Sequence, residues 1–537
     1  MVEQKSYKQL IYDFITDFKF TIPVSIVALL SYGFLITHQS LSIDDLANDR
    51  YFAGGDLIAQ GRFTAPLLNI FFGGFDFFPF ITALLSVILL IFAAILICAL
   101  FKRTAESLLN PHSYTVFTCI FISYPLINEI FSYDVARLII GLGLTMVAVT
   151  LILQTKYIET GEIKYVITAV IMTVFIVSLY ESLIPVYLCG VFCVLIIRNI
   201  SIIKDGQGVF NISKKLFKYL IPVVLGIIIE GVLSNVLIWI MGLRYSLNAA
   251  TKIEWFTGGN FFDKIVWLFQ SIIYAFGSTF LVYLPITVFL ISVVLFIFFM
   301  IILLQSFKNR RIGWLFSGLF LSVFSLSFVQ GFSSTWRSSQ VLSLFVAFVF
   351  LLFTQWLLVR PWAKPIKVLG ILLIVFLIMN QANDLNKWFY VDDMRYQEEL
   401  QIVKNIGNKL QESFDPTKPV VFIGEIKLSE NIKKYSYVRE GDKQFEFSKW
   451  MNAGVGDVKE YKYLTSNVNS YINWSIYAFF QPGSELIKWF KLLGYNVQGG
   501  SMEQYNQALK YLRIYPAYPK KGYIFEAEGM TIVNFGP

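Results

Sequence analysis

The sequence predicts a mostly α-helical protein that crosses a membrane many times and ends in a small α/β domain. Of the 537 residues, 56% are hydrophobic and 15% are charged, which is unlike a soluble domain. Runs of about 20 apolar residues recur between residues 21 and 380, and this is the length needed to cross roughly 30 Å of hydrocarbon. After residue 380 the composition becomes polar and rich in tyrosine and lysine.

Eleven apolar segments are predicted to be transmembrane helices. With the first outer loop, residues 37–78, they form a predicted membrane domain over residues 1–382. A polar amphipathic stretch precedes the first segment and no small-residue cleavage pattern follows it, so no cleavable signal peptide is expected. Residues 261–280 are interrupted by charged side chains and are predicted to lie along the membrane surface. The eleven segments are residues 21–36, 79–101, 114–130, 137–153, 165–178, 183–197, 219–241, 283–305, 314–330, 340–358 and 366–380.

Basic residues predict the orientation of these segments. If the N-terminus is cytoplasmic, the second, fourth and later even-numbered turns between the segments also face the cytoplasm, and these turns hold most of the lysines and arginines. The short turns on the other side carry few, as the positive-inside rule requires. The loop of residues 37–78 and the C-terminal domain are therefore expected outside the cytoplasm, in a multi-pass protein of the cell membrane. The net charge of +8 is then explained by orientation and anionic headgroups, and no nucleic-acid partner is expected.

The C-terminal domain is predicted over residues 383–537. Residues 418–424 read as a short buried strand, and residues 523–525 and 530–533 read as a hairpin around Gly529. Helices are predicted at residues 394–410 and 485–493, so this domain is expected to be a small α/β fold.

The first outer loop holds the most conspicuous polar stretch, from Ser42 to Arg50. Asp44 and Asp45 are adjacent carboxylates, and Asp49 follows them closely. Charges near hydrocarbon are costly, which favours a functional role. The spacing of Ser42 and Asp45 also fits a capping box, so a helix-capping role competes with a catalytic one.

Further candidates fall in outer loops of the same predicted side. Each of them also has a structural alternative: Asp134 and Arg137 fit an ion pair at a helix start, Tyr180 and Glu181 fit an interfacial turn, and Arg337 fits a headgroup contact. All of them are predicted on the same side of the membrane, and this shared position favours a functional role. The candidate substrate-binding residues are Arg50, Arg62, Asp134, Arg137, Tyr180, Glu181 and Arg337.

Arginines and a carboxylate at an outer membrane surface suit one kind of chemistry. The arginines can bind a lipid phosphate, and the carboxylate can take a proton from an incoming hydroxyl group. These are the requirements for moving a sugar from a lipid-phosphate donor to an acceptor outside the cell. Direct displacement with one base predicts inversion at the anomeric carbon.

Metals, cofactors and disulfides have little support in the sequence. The four cysteines lie in apolar segments and there are two histidines, so neither a zinc site nor histidine catalysis is expected. Clustered aspartates could bind Mg²⁺ or Mn²⁺, but arginine can neutralise a monophosphate leaving group. No obligatory metal is expected.

The polar motifs resemble those of a known family. The Asp44-Asp45 pair after the first helix, the Gly61-Arg62 turn that follows, and the junctions at Asp134 and Glu181 resemble bacterial O-antigen and cell-wall glucosyltransferases of Gtr type II, in the GT-C class. The resemblance covers roughly residues 20–345. It implies a polyprenyl-phosphate sugar as donor, such as undecaprenyl-phosphate glucose, a cell-surface polysaccharide or cell-wall glycan as acceptor, and Asp44 or Asp45 as the catalytic base.

Two other functions fit an apolar, basic, polytopic chain. A lipid-linked-sugar flippase or transporter would carry ionisable residues within its spans and often shows duplicated halves; here Glu230 is the clearest charge within a span, and no internal repeat is evident. A polysaccharide polymerase or ligase would share an outer polar site, but its acidic residues would be expected in a large late loop.

Overall fold

The structure, a computed structural model, is predominantly helical, as predicted, with one small sheet. It describes residues 5–38, 40–46, 55–71, 79–105, 109–204, 212–244, 261–262, 264–266, 268, 286–306, 310–330, 338–424, 426 and 485–536. The chain divides into two compact units. The first comprises Met1–Thr37 and Arg50–Lys387, and the second comprises His38–Asp49 and Trp388–Pro537. Most of residues 261–280, predicted to lie along the membrane surface, are outside the described residues.

The described part of the first unit is almost entirely helical. The helix Lys364–Ser413 includes residues of both units. The helices are α1 (Tyr7–Thr16), α2 (Phe18–Thr37), α3 (Ile43–Leu46, in the second unit), α4 (Asp56–Ala59), α5 (Thr64–Phe71), α6 (Pro79–Ala105), α7 (Pro111–Ser123), α8 (Ile127–Ser132), α9 (Asp134–Thr160), α10 (Ile163–Leu179), α11 (Leu183–Lys204), α12 (Ile212–Ile240), α13 (Ile286–Ser306), α14 (Arg310–Val323), α15 (Ser325–Gln330), α16 (Val341–Val359) and α17 (Lys364–Ser413).

Seven of the helices in the described residues are long and apolar enough to cross a membrane: α2, α6, α9, α11, α12, α16 and α17. Helices α10 and α14 are apolar but shorter. Each of the eleven predicted segments contains helix. The membrane-protein class is therefore confirmed, with seven membrane-length helices among the described residues. The number of eleven spans stays a prediction.

Two predicted spans are broken helices. The segment predicted at 114–130 divides into α7 and α8 around Pro125, because proline disfavours helical geometry in the preceding residue and lacks an N–H to donate. The segment at 314–330 divides into α14 and α15 at Phe324. There Ser322 and Ser325 donate hydroxyl hydrogen bonds to the carbonyls of Leu319 and Ser322, which competes with the regular helix.

Helices α6 and α9 pack closely because a glycine lies between them. A Cβ atom placed on Gly141 would lie 3.0 Å from the backbone oxygen of Ser86 and 3.2 Å from its Cα. Beside this contact, the Thr145 hydroxyl donates to the carbonyl of Leu89 at 3.1 Å. Small residues and hydrogen bonds of this kind hold helices together where lipid removes the hydrophobic driving force.

Polar contacts mark the two ends of the first unit. At one end, Arg103 near the end of α6 donates to Glu159 near the end of α9 at 3.1 Å, and to the carbonyl of Lys5 at 3.0 Å. At the other end, Thr82 near the start of α6 donates to Asp134 at the start of α9. Helices α6 and α9 therefore run parallel, and the predicted site residue Asp134 lies at the end away from Arg103.

The second unit contains a three-stranded sheet. Its elements after α17 are β1 (Val420–Ile423), α18 (Glu485–Leu492), α19 (Met502–Ala508), β2 (Ile524–Ala527) and β3 (Met530–Asn534). The strand order is β1-β3-β2, with β1 parallel and β2 antiparallel to β3. The predicted strand, hairpin and helix at 485–493 are confirmed. The helix predicted at 394–410 is also confirmed, as the second part of the longer helix α17.

We expect Gly141→Leu to destabilise the helix bundle, because the added side chain must push α6 and α9 apart at a backbone contact. Overpacking of this kind costs about 1–3 kcal/mol. Thermal unfolding of the purified protein in detergent measures the effect. Gly231→Leu in α12 is the matched control, since a Cβ at Gly231 meets nothing within 4 Å. Equal melting temperatures for the two variants would contradict the packing described here.

Candidate functional site

The start of the first outer loop is a capped helical turn. The backbone N–H and the hydroxyl of Ser42 both donate to Oδ2 of Asp45, at 2.9 and 2.8 Å. The N–H of Asp45 donates to the Ser42 hydroxyl at 3.2 Å, which completes the predicted capping box. The Asp45 side chain is fully buried, whereas Asp44 lies one residue earlier in the same helix α3. Asp45 therefore has a structural role.

Side chains of the second unit hold the residues just before this turn. Arg395, near the middle of α17, donates through Nη2 to the backbone carbonyl of Leu41 at 3.2 Å. The Ser40 hydroxyl donates to Asp392, and Asp392 also accepts from Arg395 at 2.9 and 3.1 Å. Helix α3 packs against α18 of the same unit. The segment that carries Asp44 is thus built into the second unit.

The Gly61-Arg62 turn ends α4 and directs an arginine toward a carboxylate. Gly61 has a φ of +83°, and the Arg62 N–H donates to the carbonyl of Leu57 at 2.8 Å, as at a glycine-terminated helix end. Arg62 then makes a two-point ion pair with Glu181, with Nε and Nη2 at 3.1 and 2.9 Å from the two carboxylate oxygens. The guanidinium carbon also lies 4.4 Å from the centre of the Tyr180 ring.

These contacts join three of the predicted residues in one cluster of the first unit. Both partners of the ion pair are about one-fifth exposed, at 20% and 23%, so the cluster is open to a ligand. Two parallel hydrogen bonds fix the plane of the guanidinium group, and the aromatic ring supports its face. The bidentate geometry is the one that guanidinium also uses for phosphate, and Glu181 occupies it here.

Asp134 and Arg137 form a second, more deeply buried pair. Arg137 Nη2 lies 3.2 Å from Asp134 Oδ1, and the two side chains are 2% and 7% exposed. Thr82 donates to the same carboxylate oxygen. Within the described residues, the Nε–H of Arg137 has no hydrogen-bond partner. The two residues therefore form a buried ion pair at the start of α9, with one guanidinium donor unused.

Glu230 was noticed in the sequence as a charge within a span, and the structure places it beside the first outer loop. A Cβ on Gly61 would lie 3.2 Å from Glu230 Oε1, and Ser234 donates to the same oxygen. Glu230 therefore lies next to the Gly61-Arg62 turn. Glu230 was not among the predicted site residues. The available signal was a carboxylate ten residues before the end of an apolar helix, at Ile240.

Two predicted residues, Arg50 and Arg337, lie outside the described residues. Of the other predicted site residues, Asp44 and Asp45 belong to the second unit, while Arg62, Asp134, Arg137, Tyr180 and Glu181 belong to the first. The contacts of Arg395, Asp392 and Glu399 were missed. Their spacing along α17, which repeats every three to four residues on one helix face, was the available signal.

A bundle of membrane-length apolar helices with arginine–carboxylate clusters at the helix ends defines a polytopic membrane protein with a polar site at those ends. Residues 33–354 match the family described as glucosyl transferase GtrII, and this match covers more than half of the chain. The chain therefore belongs to the glucosyl transferase GtrII family, as its motifs suggested, and this family implies a transferase that acts on glucosyl groups. A comparison with curated proteins finds no match.

We expect Arg137→Met to be strongly destabilising, because it leaves Asp134 buried without its counter-charge; removing one partner of a buried pair costs about 3–5 kcal/mol. Adding Asp134→Leu should restore part of the lost stability. Lys5→Met is the control, since the Lys5–Asp13 pair is largely exposed and such pairs contribute about 0–1 kcal/mol. Thermal unfolding of the four proteins tests this, and a double variant less stable than Arg137→Met would contradict the pairing.

Proposed function

We propose that this protein transfers a glucose-like hexose from a polyprenyl-phosphate donor to a cell-surface polysaccharide or cell-wall glycan. The observation that carries the proposal is the family match over residues 33–354, which contains every candidate site residue from Asp44 to Arg337. The proposed topology has eleven spans, a cytoplasmic N-terminus and outward-facing outer loops, in agreement with the bias of basic residues. On that side nucleotide sugars are absent, so a lipid-linked donor supplies the sugar.

The proposed catalytic base is Asp44. The capping box supports this choice over Asp45, because the Asp45 carboxylate is buried and already accepts two hydrogen bonds from Ser42. A carboxylate that takes the proton of the acceptor hydroxyl raises that oxygen's nucleophilicity as it attacks the anomeric carbon. The C–O bond to the donor phosphate breaks as the new glycosidic bond forms, so the configuration inverts.

Arginines are the proposed ligands of the donor phosphate. Arg62 is supported by the planar presentation that Tyr180 and Glu181 impose on its partly exposed guanidinium group. Arg137 is proposed on the basis of the sequence. Positive charge at the phosphate stabilises the leaving group. Arg50 and Arg337 are further proposed ligands on the basis of the sequence. With arginine in this role, we propose that Mg²⁺ or Mn²⁺ is not obligatory.

The proposal is tested by reconstituting the purified protein into liposomes that contain undecaprenyl-phosphate [¹⁴C]glucose, with cell-surface polysaccharide of the producing organism as acceptor. Label should appear in the polysaccharide. Label that crosses the bilayer without entering polysaccharide would instead indicate a flippase, and growth of the polysaccharide chain without use of the labelled donor would indicate a polymerase or ligase.

We expect Asp44→Asn to lower activity and Asp45→Asn to lower stability. Loss of a general base typically lowers kcat by about 10²–10⁴-fold, so Asp44→Asn should fold normally and be nearly inactive. Asp45→Asn should chiefly lower the melting temperature, since the loss of a cap costs about 0.5–2 kcal/mol. The kcat and the melting temperature of both variants are the measurements. Near-normal kcat in Asp44→Asn would exclude it as the base.

A further inference from the structure

A buried ion network in the second unit holds the first outer loop by its backbone. Arg395 is the centre of this network: Nη1 donates to Glu399 at 2.6 Å, and Nε and Nη2 donate to Asp392 at 3.1 and 2.9 Å. The Arg395 side chain is 6% exposed and that of Glu399 is 0% exposed. Nη2 also donates to the carbonyl of Leu41, which is 354 residues away along the chain.

The network reaches the loop at two consecutive residues. One carboxylate oxygen of Asp392 accepts from Arg395, and the other accepts from the hydroxyl of Ser40. The next residue, Leu41, supplies the carbonyl that Arg395 binds. Arg395 and Asp392 thus fix both the backbone and a side chain immediately before Ser42.

Ser42 begins the capped turn that carries Asp44. Because Ser42 and Asp45 bind each other through three hydrogen bonds, a fixed position of residues 40 and 41 fixes the start and the direction of α3. Helix α3 also packs against α18, where the buried Trp489 stacks on Tyr396 of α17 at 5.9 Å between ring centres. The turn is therefore held by both α17 and α18.

The ion network of Arg395, Asp392 and Glu399 is not well explained by a contribution to stability alone. Burying Arg395 and Glu399, with Asp392 partly buried beside them, incurs a large desolvation cost. Well-packed apolar residues of similar volume are often equally stabilising. A guanidinium group, however, offers several donors in a rigid plane, and here they bind two carboxylates and one backbone carbonyl at once. Such a network specifies geometry, which is what a catalytic turn requires.

We propose that Arg395 is a positioning residue for glycosyl transfer, and that with Asp392 and Ser40 it sets the position of the turn that bears the base. This inference rests on the proposed function in taking Asp44 as that base. The C-terminal unit then has a defined role in the reaction: it carries the catalytic turn of the first outer loop and keeps it rigid.

Three variants remove parts of the network. Arg395→Met removes every contact, Arg395→Lys retains a charge but cannot bind Leu41 and both carboxylates in the fork geometry, and Ser40→Ala removes one bond with little risk to folding. The matched control is Arg513→Met, at an exposed arginine of the same unit. Transfer from undecaprenyl-phosphate [¹⁴C]glucose gives kcat and donor KM, and hydrogen exchange of residues 40–46 reports the rigidity of the turn.

We expect kcat to fall by about 10-fold or more in Arg395→Met, less in Arg395→Lys and Ser40→Ala, with donor KM unchanged, since a small misplacement of a reacting group has effects of this size. Hydrogen exchange of residues 40–46 should accelerate in the same order. Arg513→Met should match the wild type in both measurements. If Arg395→Met fails to fold, the same two measurements on Ser40→Ala and Arg395→Lys test the proposal.

A double variant separates this inference from the proposed function. If Arg395 acts through Asp44, adding Arg395→Lys to Asp44→Asn should lower kcat no further than Asp44→Asn alone. An additive loss would overturn the positioning role. Normal kcat in Ser40→Ala and Arg395→Lys would also overturn it, even when Asp44→Asn is inactive. Full activity of Asp44→Asn would instead refute the choice of Asp44 as base. In that case, slow hydrogen exchange of residues 40–46 in the wild type and fast exchange in Arg395→Lys would still show that Arg395 holds the turn.

Discussion

Charge pairing in a medium of low dielectric constant is the constraint on which this structure most depends. Arg62 with Glu181, and Arg137 with Asp134, are ion pairs at the ends of apolar helices. An isolated buried charge would be costly, so the buried Arg137 needs its carboxylate, and each pair fixes where its helix or turn can lie. The same pairs present guanidinium groups in defined orientations. The proposed phosphate ligands are therefore also residues that hold the fold together.

The second unit applies this constraint to the first outer loop. Arg395 neutralises Asp392 and Glu399, and one of its nitrogens also binds the carbonyl of Leu41. A loop segment near the N-terminus is thereby incorporated into a unit made mostly of the last 150 residues. Two helices of the polar α/β unit, α17 and α18, thus contact the short turn at residues 40–46.

The sequence was sufficient to predict most helices, because a run of about 20 apolar residues has few alternatives to a membrane helix. It also predicted the capping box of Ser42 and Asp45 and the small C-terminal strands. The break at Phe324 was not predicted, since serines are compatible with helices and their backbone hydrogen bonds depend on local packing. Pairing between distant residues was also missed. Nothing near Leu41 in the chain indicates a contact with Arg395, and nothing near Gly61 indicates Glu230.

In the proposed reaction the sugar moves in a single displacement, with one carboxylate as base and arginine binding the phosphate. The most direct test is the anomeric configuration of the glucosyl group in the product, determined by NMR after transfer from a polyprenyl-phosphate glucose of known configuration. We expect inversion in every product molecule. Retention would contradict it, because retention requires two successive displacements through a covalent glycosyl-enzyme intermediate.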